Sequence, residues 1–123
     1  MALLTACSSD MPDSELYGVY VATYQNGTER LTLQQDGTFV QEVRLKANGS
    51  MTVNSGTWRR VSPSNRPDLV DLENCWGVGD GFGNIRPDFA ARRGGCSLTV
   101  ERRFLVAGQL HLGPDEGWPL WKE

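Results

Sequence analysis

Residues 16–45 read L-Y-G-V-Y-V-A-T-Y-Q-N-G-T-E-R-L-T-L-Q-Q-D-G-T-F-V-Q-E-V-R-L. In the first run Val19, Val21 and Thr23 share one face, and Tyr20, Ala22 and Tyr24 share the other. That alternation, with β-branched and aromatic residues throughout, specifies a strand. Asn26-Gly27 follows, the strongest short-range hairpin signal. From Thr28 to Gln34, Leu31 and Leu33 oppose Arg30, Thr32 and Gln34. Asp36-Gly37 makes a second turn. Phe39, Val43 and Leu45 then oppose Glu42 and Arg44, and Gln41 is the polar exception on the apolar face. Consecutive strands joined by short turns pair as neighbours, so the stretch predicts an antiparallel meander.

Working outward, Ala47 to Ser50 is a third turn and Met51 to Val61 a fourth strand, with Gly56 expected to mark a bulge before Thr57-Trp58. Ser62 to Asp68 is a loop by composition. Leu69 to Trp76 is a fifth strand, with Val70, Leu72 and Trp76 in phase. Ser97 to Arg102 is a sixth, carrying Leu98 and Val100. Phe104 to Leu112 is a seventh, broken by Gly108. Leu120-Trp121 makes a short eighth strand, or a tail packed through Trp118 and Trp121. No stretch has helical apolar spacing over eleven residues, and the best helical turn lies within Pro87 to Arg92. The expected fold is all-β: an antiparallel meander of seven or eight strands forming a small up-and-down barrel. The 123 residues suffice for one core.

A net charge of −3 and a pI near 5.1 argue against nucleic acid as the main partner. The 14 glycines concentrate at turns and between Cys75 and Cys96. That segment, C-W-G-V-G-D-G-F-G-N-I-R-P-D-F-A-A-R-R-G-G-C, reads as a long irregular loop. Its glycines lack the order of a phosphate-binding loop and open no helix. Asp80, Asn84 and Asp88 recur every four residues, but not in the calcium-loop pattern, and serve as turn formers. The cysteine spacing does not suit zinc, and His111 is the single histidine. His111 lies in a strand-like run with no nucleophile motif nearby, which makes it a surface residue rather than a catalyst. No catalytic residue, metal ligand or cofactor is expected.

At the amino terminus, Leu4-Thr5-Ala6-Cys7 resembles a bacterial lipobox, and a polar, turn-forming run follows to Glu15. The resemblance implies cleavage before Cys7 and lipidation of that residue. Residues 1–6 would be the remnant of a signal peptide, 7–15 a flexible lipid-anchored tether, and 16–123 a single barrel domain. Only six residues precede Cys7, fewer than a signal peptide has. Each buried acyl methylene adds about 0.8 kcal/mol to anchoring. If Cys7 carries lipid, Cys75 and Cys96 remain, and in an oxidising compartment they can pair. Closing that loop would contribute roughly 3 kcal/mol; the alternative is two free, partly buried thiols. Residues 18–58, with N-S-G-T-W at the end, resemble small bacterial envelope lipoproteins with a lipocalin-like barrel. This implies a membrane-anchored protein facing the periplasm or cell exterior.

The function expected from these features is a non-catalytic binding module with an envelope protein as partner. Phe82, Arg86, Phe89, Arg92 and Arg93 would form the contact surface, because a surface loop that is aromatic and basic is suited to recognition. One alternative is an immunity or inhibitor lipoprotein directed at a secreted toxin or lytic enzyme. Another is a carrier of a small apolar ligand, which requires a hollow barrel rather than one filled by Tyr20, Phe39, Trp58 and leucines.

Overall fold

The computed structural model describes residues 12–65, 68–103, 109–113 and 120–123, with the main chain alone for 101–103 and 109–113. The strands are β1 (Gly18–Tyr24), β2 (Gly27–Leu33), β3 (Thr38–Leu45), β4 (Met51–Val61), β5 (Leu69–Trp76), β6 (Arg93–Arg103), β7 (Gln109–Gly113) and β8 (Leu120–Lys122). Each pairs antiparallel with the next. β1–β7 thus form a strongly curled meander. The three-residue β8 joins β7 back to β1, through Tyr20↔Lys122 and Val21↔Trp121, and closes the ring.

The alternation read from sequence sets the inside. Tyr20, Ala22, Tyr24, Leu31, Leu33, Phe39, Val43, Val70, Leu72, Leu98 and Val100 are all buried. One end of the barrel is plugged. Leu16 follows a single 3-10 turn, Asp13–Glu15, and is fully buried; its carbonyl accepts a hydrogen bond from the Tyr20 hydroxyl at 2.9 Å. Leu33, Phe39 and Trp58 belong to the same buried cluster. The Trp58 indole donates to the Gln34 carbonyl at 2.9 Å, and its ring meets Tyr17 edge-on at 6.1 Å. Asp13 is tied to the wall by Arg60, whose guanidinium also donates to Asp68 at 2.8 Å.

Two glycine expectations are corrected. The first hairpin turns on Gln25-Asn26, because Gly27 already pairs with Tyr24 inside β2. A Cβ at Gly27 would run into the Arg44 carbonyl and lie 2.7 Å from Ile85 Cδ1, so the glycine is there for close approach rather than for the turn. Gly56 marks no bulge: β4 runs in register with β3 through Phe39↔Gly56. A side chain there would strike the Glu73 carbonyl and the Phe39 ring, so Gly56 lets β5 lean onto β4. The irregularity sits in β5 instead, where Glu73 and Asn74 face Gly95 alone. Asn74 adopts a positive φ of 64° and donates through its amide to the Ser55 carbonyl at 3.1 Å.

The helical turn expected within Pro87 to Arg92 is a 3-10 turn, Phe89–Ala91. Cys7, the residues before it, Gly108 and Trp118 lie outside the described residues, as do the side chains of Arg102, Arg103 and His111.

Candidate binding site at the loop end of the barrel

The segment after β5 is an ordered strap. Cys75 and Cys96 are joined by a disulfide, with Cα atoms 6.2 Å apart, which ties β5 to β6 at the base of the strap. The free-thiol alternative is thereby set aside. Residues 78–86 fold as a miniature hairpin: Arg86 N–H donates to the Val78 carbonyl at 2.9 Å, Asp80 N–H to the Asn84 carbonyl at 3.0 Å, and Gly79 bridges Ile85. Asp80 organises its tip. Its Oδ1 accepts the backbone N–H of Phe82 at 2.7 Å and of Asn84 at 3.2 Å, and these bonds hold the carboxyl below its usual pKa. Gly81 and Gly83 supply the positive φ angles of the tip. Asp88 pairs with Arg92 at 3.4 Å. Among the described residues no three His, Cys, Asp or Glu side chains cluster as metal ligands.

The strap is docked back on the barrel. Asn26 in the β1–β2 turn clamps Ile85 from both sides, accepting its N–H at 2.8 Å and donating to its carbonyl at 3.2 Å. Gln25 N–H donates to the Gly83 carbonyl at 2.9 Å. Val78, Ile85 and Phe89 are buried under this arrangement. Phe89 is therefore corrected: expected at the surface, it packs edge-on against Trp76 at 5.2 Å and is 6 % exposed. A loop aromatic is buried here because the strap folds over apolar ring surface at the barrel mouth. Phe82 is exposed at the tip, 81 % open to solvent. Arg86 is half-buried and donates through Nε to the Gly79 carbonyl at 2.9 Å. Arg93 lies over the Trp76 ring at 6.0 Å. The five residues expected to make one contact surface are thus divided between core, strap scaffold and solvent.

A pocket opens between the strap and the barrel wall. A half-open cavity of about 380 Å³ is lined by Leu31, Leu72, Leu98 and Leu120 on one hand and by Tyr24, Glu29, Gln41, Trp76, Arg86 and Arg92 on the other. Its polar wall is a hydrogen-bonded row across five strands. The Tyr24 hydroxyl on β1 donates to Glu29 Oε1 on β2 at 3.2 Å. Gln41 Nε2 on β3 donates to Glu29 Oε2 at 2.9 Å and to the Trp76 carbonyl on β5 at 3.1 Å. Gln41 Oε1 accepts the Trp76 N–H at 2.9 Å and Asn54 Nδ2 on β4 at 3.2 Å. Asn54 also reaches the Asn74 carbonyl at 2.7 Å.

The logic of the row starts at the bulge. Beyond Leu72, β5 no longer pairs with β4, so Trp76 would leave two backbone groups without a ladder partner inside the barrel. One carboxamide satisfies both, which is why a glutamine stands on the apolar face of β3. Glu29 is the other occupant. It is 6 % exposed, and burial holds its carboxyl above the usual Glu range, opposed by the hydrogen bonds from Gln41 and Tyr24. Tyr24 is raised too, by burial first and then by the neighbouring Glu29. Among the described residues Glu29 has no ion-pair partner, and the Trp76 indole N–H is buried without a hydrogen-bond partner.

Sequence reasoning singled out Gln41 as an exception but passed over Glu29 and Asn54. The available signal was parity: Glu29 shares its face with Leu31 and Leu33, just as Gln41 shares its face with Phe39 and Val43. Two polar residues pointing inward on adjacent strands mark a polar site in an apolar interior. Comparison with protein-family models, with curated proteins and with solved structures returned no match for the chain.

Proposed function

We propose that this is a small-molecule binding domain whose ligand occupies the loop end of the barrel. The observation that carries the reading is the cavity itself. About 380 Å³ falls within the roughly 300–1,000 Å³ of ligand pockets, and the lining joins a polar wall of Tyr24, Glu29 and Gln41 to an apolar one of Leu31, Leu72, Leu98 and Leu120. This is the carrier alternative with one change: a buried carboxyl makes the site amphipathic rather than apolar. A binding role is the reading the lining supports, through hydrogen bonds, charge and apolar surface together. The serine at the lining, Ser97, donates to Asp71 at 2.7 Å and sits at the exposed side. We further propose that the domain hangs from a membrane through lipidated Cys7 and faces the periplasm or cell exterior, which rests on the lipobox resemblance.

The test is a fluorescence titration with N-phenyl-1-naphthylamine, an uncharged apolar probe. The reading expects saturable one-to-one binding, lost in Leu98→Trp, where the indole fills the cavity while the circular dichroism spectrum stays native. Saturable binding that survives Leu98→Trp, or no saturable binding at all, would contradict it.

A second reading keeps the expected interaction module with an envelope protein, including its immunity or inhibitor form. It is favoured by Phe82, a large apolar side chain held out on a well-braced strap tip. Capture from envelope extracts should then fail with Phe82→Ser, and equal capture by both proteins would remove this reading.

A further inference from the structure

We propose that the ligand is a small organic ammonium ion, its cationic nitrogen held against Glu29 and the Tyr24 hydroxyl and its carbon skeleton against Trp76, Leu31 and Leu72. The inference rests on the cavity reading above and adds the chemical class.

Charge pairing across the site gives the argument. Three ionisable side chains other than Tyr24 line the cavity, and two of them have carboxylate neighbours on the strap. Arg92 pairs with Asp88 at 3.4 Å. Arg86 donates to the Gly79 carbonyl and lies close enough to Asp80 to lower that carboxyl's pKa. Glu29 is the third, and its partners are the neutral Tyr24 phenol and Gln41 carboxamide. An unpaired buried carboxyl neutralises, and a cation beside it restores the charge, so the inner wall suits a cation rather than an anion. A carboxylate has about four lone-pair positions, and Tyr24 and Gln41 use two, which leaves acceptor capacity toward the cavity. Tyr24 and Trp76 add aromatic surface, which attracts ammonium groups.

An occupying cation would also resolve the state of Glu29. Burial favours its neutral form, and an ammonium beside it favours the carboxylate. Binding then releases a proton, and affinity rises with pH until Glu29 is ionised without ligand. The titratable and charged groups around it are Tyr24 on β1 and, from the strap, Arg86 and Arg92 with Asp80 and Asp88. Tyr24 is pushed up and Asp80 down, so neither changes charge across pH 5–8.

The experiment is calorimetric titration with hexylammonium, 1-hexanol and hexanoate, probes of equal chain length, against the native chain, Glu29→Gln and Tyr24→Phe. The expected order is hexylammonium tightest, by about tenfold or more over hexanol, as charge-assisted hydrogen bonds require. Glu29→Gln should remove that preference and the pH slope while leaving hexanol binding intact, which also certifies the fold. Tyr24→Phe should weaken hexylammonium by a smaller factor. Hexanol binding as tightly as hexylammonium, or an unchanged preference in Glu29→Gln, would overturn the inference and leave the cavity reading standing. Hexanoate binding tightest would overturn it in favour of the guanidinium groups. If none of the three binds, the cavity reading fails with it.

Discussion

The two ends of this barrel are made by the same strands and finished in opposite ways. At one end the side chains meet. Leu16, Tyr20, Leu33, Phe39 and Trp58 fill the interior, and each polar atom they carry is satisfied locally, as in Tyr20 to the Leu16 carbonyl and Trp58 to the Gln34 carbonyl. At the other end a covalently tied strap covers the opening without filling it, and the wall carries Glu29, Gln41 and Tyr24. Stability needs only the first arrangement. The second holds a buried carboxyl away from water, which core packing alone would not select. The contrast teaches that the plugged end resembles an ordinary core and the strapped end does not, which is why the proposed ligand site lies there.

The largest expected effect comes from breaking the plug. Phe39→Ala should cost about 3–5 kcal/mol in urea unfolding, because the ring is fully buried and its neighbours cannot all collapse into the space. A cost similar to that of Leu31→Ala, whose side chain already borders the cavity, would erase the distinction between the ends. Replacing Cys75 and Cys96 together by serine should cost roughly 3 kcal/mol. Its local signature should be amide exchange that quickens across 77–92 while the plug stays protected; uniform loss of protection would show that the strap is part of the core.

Gln41→Leu probes the polar row. It strands the Trp76 N–H and one Glu29 oxygen, and an unsatisfied buried group costs about 1–3 kcal/mol. Unaltered stability would mean that the row is dispensable. The smallest effect is the pH dependence of stability contributed by Glu29. Its folded pKa is raised, so the native state binds a proton that the unfolded chain has released. Stability should therefore fall as pH rises from the ordinary Glu value, about 4.3, to that of Glu29 in the fold, then level off. Glu29→Gln should flatten this slope, and an unchanged slope in chemical denaturation across that window would assign it elsewhere.

Much of the plug was legible in the sequence and much of the site was not. Strict alternation in residues 18–45 is a local signal, and it puts Leu33 and Phe39 on apolar faces; in the first strand both faces are fairly apolar, so alternation alone does not choose the side of Tyr20. The turn glycines were harder. Gly27 and Gly56 were read as local backbone devices, but both are demanded by atoms distant in sequence, Ile85 for one and Glu73 for the other. The cysteine pair follows from the cysteine count together with the lipobox resemblance, whereas the strap does not. Its order comes from Asn26 gripping Ile85, fifty-nine positions away, a contact that composition cannot reveal. Phe89 was misplaced for the same reason. Glu29 escaped notice because a charged residue is assigned to the solvent face by default.

The most direct test of the account is a carboxyl ¹³C NMR titration of Glu29 with and without hexylammonium. The account predicts a midpoint clearly above the ordinary Glu value in the free protein, shifted down when the amine is present. A midpoint at the ordinary value, indifferent to the amine, would contradict it.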